Sequence, residues 1–280
     1  MIVAQLRLNF GQRPGVAREE LREALDGFRA IGERWGVGFT LSALGDMAAA
    51  QGEFQDAVTW QREALALVRE VGIREDLPQL EMKLAHQLWL AGDRTEARRM
   101  LKQARESAEE VGLSEVLASV EYGYATIARE EGSLEEARER MARAARLIDN
   151  SAHMTQFRAM TRSTQALIEG AAGNLAAAHD LHRGAVEMAV DSLDAPVMAQ
   201  VLVGVADYAV RIGDPARAAM LLGAADAVRG APDRSMPDTD RITVLARSAL
   251  GDAGYERAYD SGTSVTMATA VEATGLRPAT

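Results

Sequence analysis

The 280-residue chain contains no cysteine, which excludes disulfides, a thiolate zinc site and a cysteine nucleophile. Aromatic residues make up only 5% of a composition that is 48% apolar, so the core must be built largely from Ala, Leu, Val and Met. Small aliphatic side chains of this kind suit closely packed helices. Lysine occurs only at Lys83 and Lys102, and neither follows a glycine or precedes Ser or Thr, so there is no P-loop. No HExxH, GxSxG or EF-hand pattern occurs. No cofactor, metal ligand or catalytic residue is assigned. No run approaches the roughly 18 apolar residues that read as a membrane span. The opening MIVAQLRLNFGQRPG lacks the basic start and long apolar stretch of a signal peptide, and the expectation is a cytoplasmic protein without membrane contact. Basic residues are outnumbered 41 to 31, giving a formal charge of −10 that opposes direct contact with nucleic acid. The basic clusters 94–99 and 138–146 alternate with Glu and read as solvated helix faces.

What is present is a period. Gly52, Gly92, Gly132, Gly173 and Gly213 are separated by 40, 40, 41 and 40 positions. Five residues after each stands an alanine (Ala57, Ala97, Ala137, Ala178, Ala218), and seven further on another (Ala64, Ala104, Ala144, Ala185, Ala225). Seven before each glycine is a third small residue: Gly45, Ala85, Ala125, Ala166, Ala206. A fixed period of this size means stacked supersecondary units that bury their apolar faces on one another. The pattern predicts an all-α solenoid of about six helix-turn-helix repeats over residues 1–230. In each, the first helix ends at the repeat glycine in the left-handed region. Of the residues that follow (Glu53, Asp93, Ser133, Asn174, Asp214), the last four are suited to N-capping the second helix. Pro215 falls in a first helical turn, and second helices are expected to end near Gly72, Gly112 and Gly230.

The first repeat is incomplete. Ala17, Ala24 and Gly32 fall forty residues ahead of Ala57, Ala64 and Gly72, but the first helix can begin only at Met1. Two readings stay open: continuation from or docking onto something longer, or a short N-terminal helix. After Gly230 the phase stops. Residues 231–237 (APDRSMP) read as a linker and 238–280 as a C-terminal helical cap. Helical stretches near 238–250, 252–260 and 264–274 are expected to fold back on the last repeat, with a frayed GLRPAT ending.

This arrangement resembles the tetratricopeptide repeat, W-x2-L-G-x2-Y…A-x3-F…P, through Leu41, Leu44, Gly45, Ala48 and Ala57. It departs from it in Gln61 at the aromatic position, the missing terminal proline and the period near 40 rather than 34. Two segments resemble large bacterial ATP-dependent transcriptional regulators of the SARP and LuxR types. They are GERWGVGFTLSALGDMAAAQGEFQDAVTWQREAL and the tail ARAAMLLGAADAVRG followed by LARSALGDAGYERAYDSGTSVTMATAVEAT. The resemblance implies a C-terminal sensor region in which a leucine-glycine-alanine helix and a closing cap finish the chain. The DNA-binding and nucleotide-binding domains of such regulators have no counterpart here.

In such solenoids the first helices line an inner surface. The repeat phase projects Phe39, Ser42 and Asp46; Met82, His86 and Trp89; Tyr122, Thr126 and Arg129; Met160, Ser163 and Leu167; and Gln200, Val203 and Asp207 onto it. Aromatic, Met and isolated charged residues together suit a recognition groove for a protein, a peptide or a small effector. Packing of Met82, Trp89 and Met160 between repeats is the competing reading, and Trp60, on a second helix, reads as packing or surface. The histidines are His86, His153, His179 and His182. His179 and His182 have a metal-compatible spacing, but His182 stands at the repeat position of Leu101, Met141 and Leu222 and is expected in the core. The pairs Glu109/Glu110, Glu130/Glu131 and Glu135/Glu136 are expected on solvated faces. The leading functional expectation is a non-catalytic binding domain. The alternatives are an all-α enzyme using Asp46, His86, Tyr122 or Asp207 and a homo-oligomerising scaffold.

Overall fold

The computed structural model describes residues 1–12, 14–149, 151 and 154–276. The described residues form fifteen α-helices and no strand. After α1 (Ile2–Asn9), helices pair as α2 (Pro14–Ile31), α3/α4 (Arg34–Ala50, Phe54–Val71), α5/α6 (Leu77–Leu90, Arg94–Val111) and α7/α8 (Ser114–Glu130, Leu134–Leu147). The series continues with α9/α10 (Thr155–Ala171, Leu175–Ser192) and α11/α12 (Ala195–Arg211, Pro215–Arg229). Three further helices close the chain: α13 (Pro237–Leu250), α14 (Asp252–Gly262) and α15 (Ala270–Thr274). The chain divides into two compact units, Met1–Gln5 with Gly15–Ser151 and Leu6–Pro14 with Ala152–Thr280. No described helix is long and apolar enough to cross a membrane.

The hairpins have a local cause. All five repeat glycines adopt φ of 80–90°, a conformation in which a side chain would clash with its own backbone. The N–H of the residue after each glycine bonds back to the first helix, as from Glu53 to the Ala48 carbonyl at 2.9 Å. Gly72, Gly112 and Gly230 end second helices in the same left-handed region, while α10 ends on Leu193 at φ 53°. Of the four expected N-caps, Asp93 and Asp214 accept from the amides of Glu96 and Arg217 at 3.1 and 3.0 Å. Ser133 and Asn174 occupy the cap position without a side-chain bond to their helices. The Asn174 amide is drawn off by Glu169 at 2.6 Å.

The alanines five residues beyond the repeat glycines are fully buried, as are Ala64, Ala104, Ala144 and Ala185. They let paired helices approach to near backbone contact, and any larger side chain would force them apart. In the first unit, Val58, Leu65, Leu84, Leu88 and Met100 belong to one apolar cluster. The second unit has a larger one, running from Ala159 through Met198, Leu202, Leu221 and Leu222 to Ile242 and Ala270.

The C-terminal helices fold back as expected, with two differences. α13 packs on α11 and α12, and α14 packs chiefly on α12 and only lightly on α13, so the two do not repeat the close pairing of the preceding hairpins. The third helix covers only 270–274, because 263–269 turns, held by Thr266 and Thr269 hydroxyls. α14 lies directly on α12 through two glycines. A Cβ on Gly223 would sit 2.1 Å from the Tyr259 carbonyl oxygen, and one on Gly262 would sit 1.9 Å from that of Met220. The glycine of the leucine-glycine-alanine helix is therefore a seat for the cap. The end of the tail, 277–280, lies outside the described residues.

Candidate binding cleft

In the first unit, α3 and α5 are the first helices of consecutive hairpins, and between them lies a cleft of about 330 Å³. Phe39, Ser42 and Asp46 line it, as the repeat phase projects. Trp35, Asp76, Gln79 and Lys83 line it too, over a floor that includes Gly38, Ala43, Val68 and Leu80. Trp35 and Phe39 are one helical turn apart on α3, and their ring centroids are 5.7 Å apart at 32°. Both remain about 40% exposed, Trp35 at 40% and Phe39 at 41%. The α3 N-terminus is fixed by Glu33, whose carboxylate accepts from the amides of Trp35 and Gly36 at 3.1 and 2.6 Å. The Trp35 indole N–H donates to Asp76 across the cleft at 3.2 Å. The Lys83 ammonium donates to Asp46 at 2.6 Å and to Ser42 Oγ at 3.5 Å. The repeat phase does not project Trp35, Asp76, Gln79 or Lys83. Trp35 was legible as the residue four before Phe39, whereas Asp76 belongs to an inter-repeat turn that no helical period reaches.

The other projected residues of this unit are more covered. Met82 packs between hairpins, its Cγ lying 2.9 Å from where a Gly123 Cβ would stand. Trp89 is buried in the core, with the Arg94 guanidinium 4.8 Å above its ring. His86, Tyr122 and Thr126 are half-buried, and the Thr126 hydroxyl donates to the Tyr122 carbonyl at 3.0 Å. Arg129 is half-buried and pairs with Glu130. Trp60 packs against Ala48, Ala49 and Ala57.

One expectation of solvated charge is corrected here. Glu130 and Glu131 are only 15% and 17% exposed, because they sit at a hairpin turn where Arg129 and the Arg98 of the preceding hairpin clamp them. The second basic cluster keeps Arg143 and Arg146 exposed, while Arg140 and Arg143 also pair with the buried Glu121 at 3.1 and 3.4 Å.

In the second unit the projected face is closed. Ser163, Leu167, Val203 and Asp207 are buried, while Met160 and Gln200 are half-buried. Asp207 accepts from Arg211 at 2.6 Å and from Arg241 of α13 at 2.7 Å, and Arg241 also holds the buried Asp238 at 2.5 Å. Burial opposes the charge on Arg241, but Asp207 and Asp238 together overcome this and hold its pKa above the ordinary arginine value. His182 is in the core, as expected, beside Tyr208 with ring centroids 6.0 Å apart. Burial lowers its pKa to about 4. Its Nδ1 and the Ser163 hydroxyl have no hydrogen-bond partner among the described residues. His179 is 38% exposed and turned to Asp180, so the two histidines do not share a site. Among the described residues no group of three or more His, Asp or Glu could hold a metal ion. His153 lies outside the described residues.

The cleft between α3 and α5 is thus open and aromatic-lined, with charged walls. No protein-family model and no curated protein matches the chain. Among solved structures it is similar to the crystal structure of BtubC (BKLC) from P. vanneervenii, at a TM-score of 0.53 and 17% sequence identity, over 84% of this chain and 91% of that one. At that identity the likeness shows the fold alone: an all-α stack of helical hairpins.

Proposed function

We propose that the chain is a non-catalytic recognition domain that binds a protein or peptide segment in the cleft between α3 and α5. The observation that carries this reading is the pair of exposed aromatic rings, Trp35 and Phe39, beside charged groups already held in place. Rigid aromatics of this kind are the usual anchors of protein recognition. We further propose that the domain is a tetratricopeptide-type sensor serving as the regulatory C-terminal region of a bacterial, cytoplasmic transcriptional regulator. Residues 32–65 and the α12–α14 segment support this by their resemblance to such regulators, and the seating of α14 on Gly223 accounts for the glycine of that pattern. The domain would act through its partner, without touching nucleic acid itself. Peptide-display selection on the full chain tests the reading. Enriched peptides should lose about tenfold or more in affinity to a Trp35→Ala/Phe39→Ala variant, as expected for anchor residues. Absence of enrichment, or enriched peptides indifferent to the double variant, would overturn it.

A further inference from the structure

The cleft carries a sign of charge preference. Asp76 stands at the head of α5, yet its carboxylate makes no capping bond to that helix. It is turned into the cleft instead, where one oxygen accepts the Trp35 indole N–H at 3.2 Å. The second wall carboxylate, Asp46, is already occupied by Lys83 at 2.6 Å and Gln87 at 3.5 Å. The charged lining is thus two carboxylates against one ammonium, and that ammonium is committed to Asp46. Beside Asp76 the rings of Trp35 and Phe39, tilted 32° to each other, are 40% and 41% exposed, and the floor below includes Gly38, Ala43, Val68 and Leu80. A cation over an aromatic face gains from the ring quadrupole, and a nearby carboxylate adds to that gain. An aliphatic stem gains further by lying along apolar surface.

We infer that the Trp35–Phe39–Asp76 corner is a subsite for a cationic side chain, the guanidinium or ammonium of an arginine or lysine in an incoming peptide. This rests on reading the cleft as a recognition site and adds the charge of what enters it. The net charge of −10 favours the approach of a basic segment and disfavours an acidic one.

The test uses the full chain labelled with ¹⁵N and the indole N–H resonances of its three tryptophans. Trp35 is assigned by Trp35→Phe, while Trp60 and Trp89 report that the fold is intact. Three probes are titrated: N-acetyl-arginine amide, N-acetyl-norleucine amide and N-acetyl-glutamate amide. The arginine probe should shift Trp35 saturably and bind about tenfold more tightly than the norleucine probe. Salt should erode that margin. Asp76→Asn should remove most of the margin while leaving the norleucine titration unchanged, and Asp46→Asn should leave the margin in place. Equal binding of arginine and norleucine, or tighter binding of glutamate, would overturn the charge assignment while leaving the cleft as a binding site. If no probe moves Trp35, both the subsite and the cleft reading fall.

Discussion

Asp46 and Asp207 occupy the same position of the repeat, four residues after Ser42 and Val203 respectively. Each is paired with a cation from the next first helix, Lys83 of α5 and Arg241 of α13. Asp46 is nonetheless 46% exposed on the wall of a cleft, whereas Asp207 is 1% exposed beneath α13. A second column behaves similarly. Glu81 and Glu121 in the first unit are buried and face Gln103 and Arg143, one repeat apart. One equivalent pair in the second unit, on α9 and α10, is Arg162 and Gly184, where a Cβ on Gly184 would come within 2.6 Å of the Arg162 Nε. A charge has changed sign, and its partner has shrunk to admit the longer side chain. The lesson is that the repeat sets which side chains meet, while the elements stacked on it set whether they meet in water or in a core.

Four measurements put this contrast to the test. The largest effect is expected at the seat of the cap. Gly223→Val places a side chain against the Tyr259 backbone, and should destabilise the second unit by more than about 3 kcal/mol, the upper range of overpacking. Urea unfolding followed by far-UV circular dichroism reads the loss. All three tryptophans lie in the first unit, so their fluorescence reports that unit separately.

Next comes acid. The folded pKa of His182 is lowered from the ordinary 6.5 to about 4 by burial. Below pH 6.5 the unfolded chain therefore binds a proton that the folded chain refuses. Stability is present above that pH and is lost as pH falls toward 4, by about 3 kcal/mol for a shift of this size. His182→Leu, which restores the residue type found at Leu101 and Leu222, should flatten this part of the pH profile. An unchanged slope between pH 7 and 4.5 would show that His182 is not its source.

Third, Asp207→Asn should cost about 2 kcal/mol, a discounted figure because Arg211 and Arg241 both reach solvent and Arg241 keeps Asp238 as a partner. Asp46→Asn should cost less than about 0.5 kcal/mol, as exposed pairs do. Equal costs in chemical denaturation would abolish the distinction between open and closed faces. The smallest effect is at Leu193, an exposed residue held at φ 53°, where Leu193→Gly should stabilise by about 0.5 kcal/mol in the same assay.

The hairpins were legible because their causes are local. A glycine at a left-handed turn and an alanine at a helix contact act within a few residues of where they stand, and a forty-residue spacing repeats them. Capping was half legible, since Asp93 bonds its own helix but the Asn174 amide prefers the Glu169 carboxylate five residues back. The groove was less so. Ser42 and Ser163 share a repeat position, and both are buried, yet Ser42 borders a cleft while Ser163 sits in the core beside Gly204.

Read as letters, the chain specifies a stack of antiparallel helices, their turns and the small residues at their contacts, because those follow from backbone geometry at single positions. Which face stays open to a partner depends on burial, and burial is a property of neighbours distant along the chain. Arg241 must fold back onto Asp207, and Tyr259 onto Gly223, before one wall is sealed. Asp76 must meet Trp35 across forty-one positions before the other becomes a site.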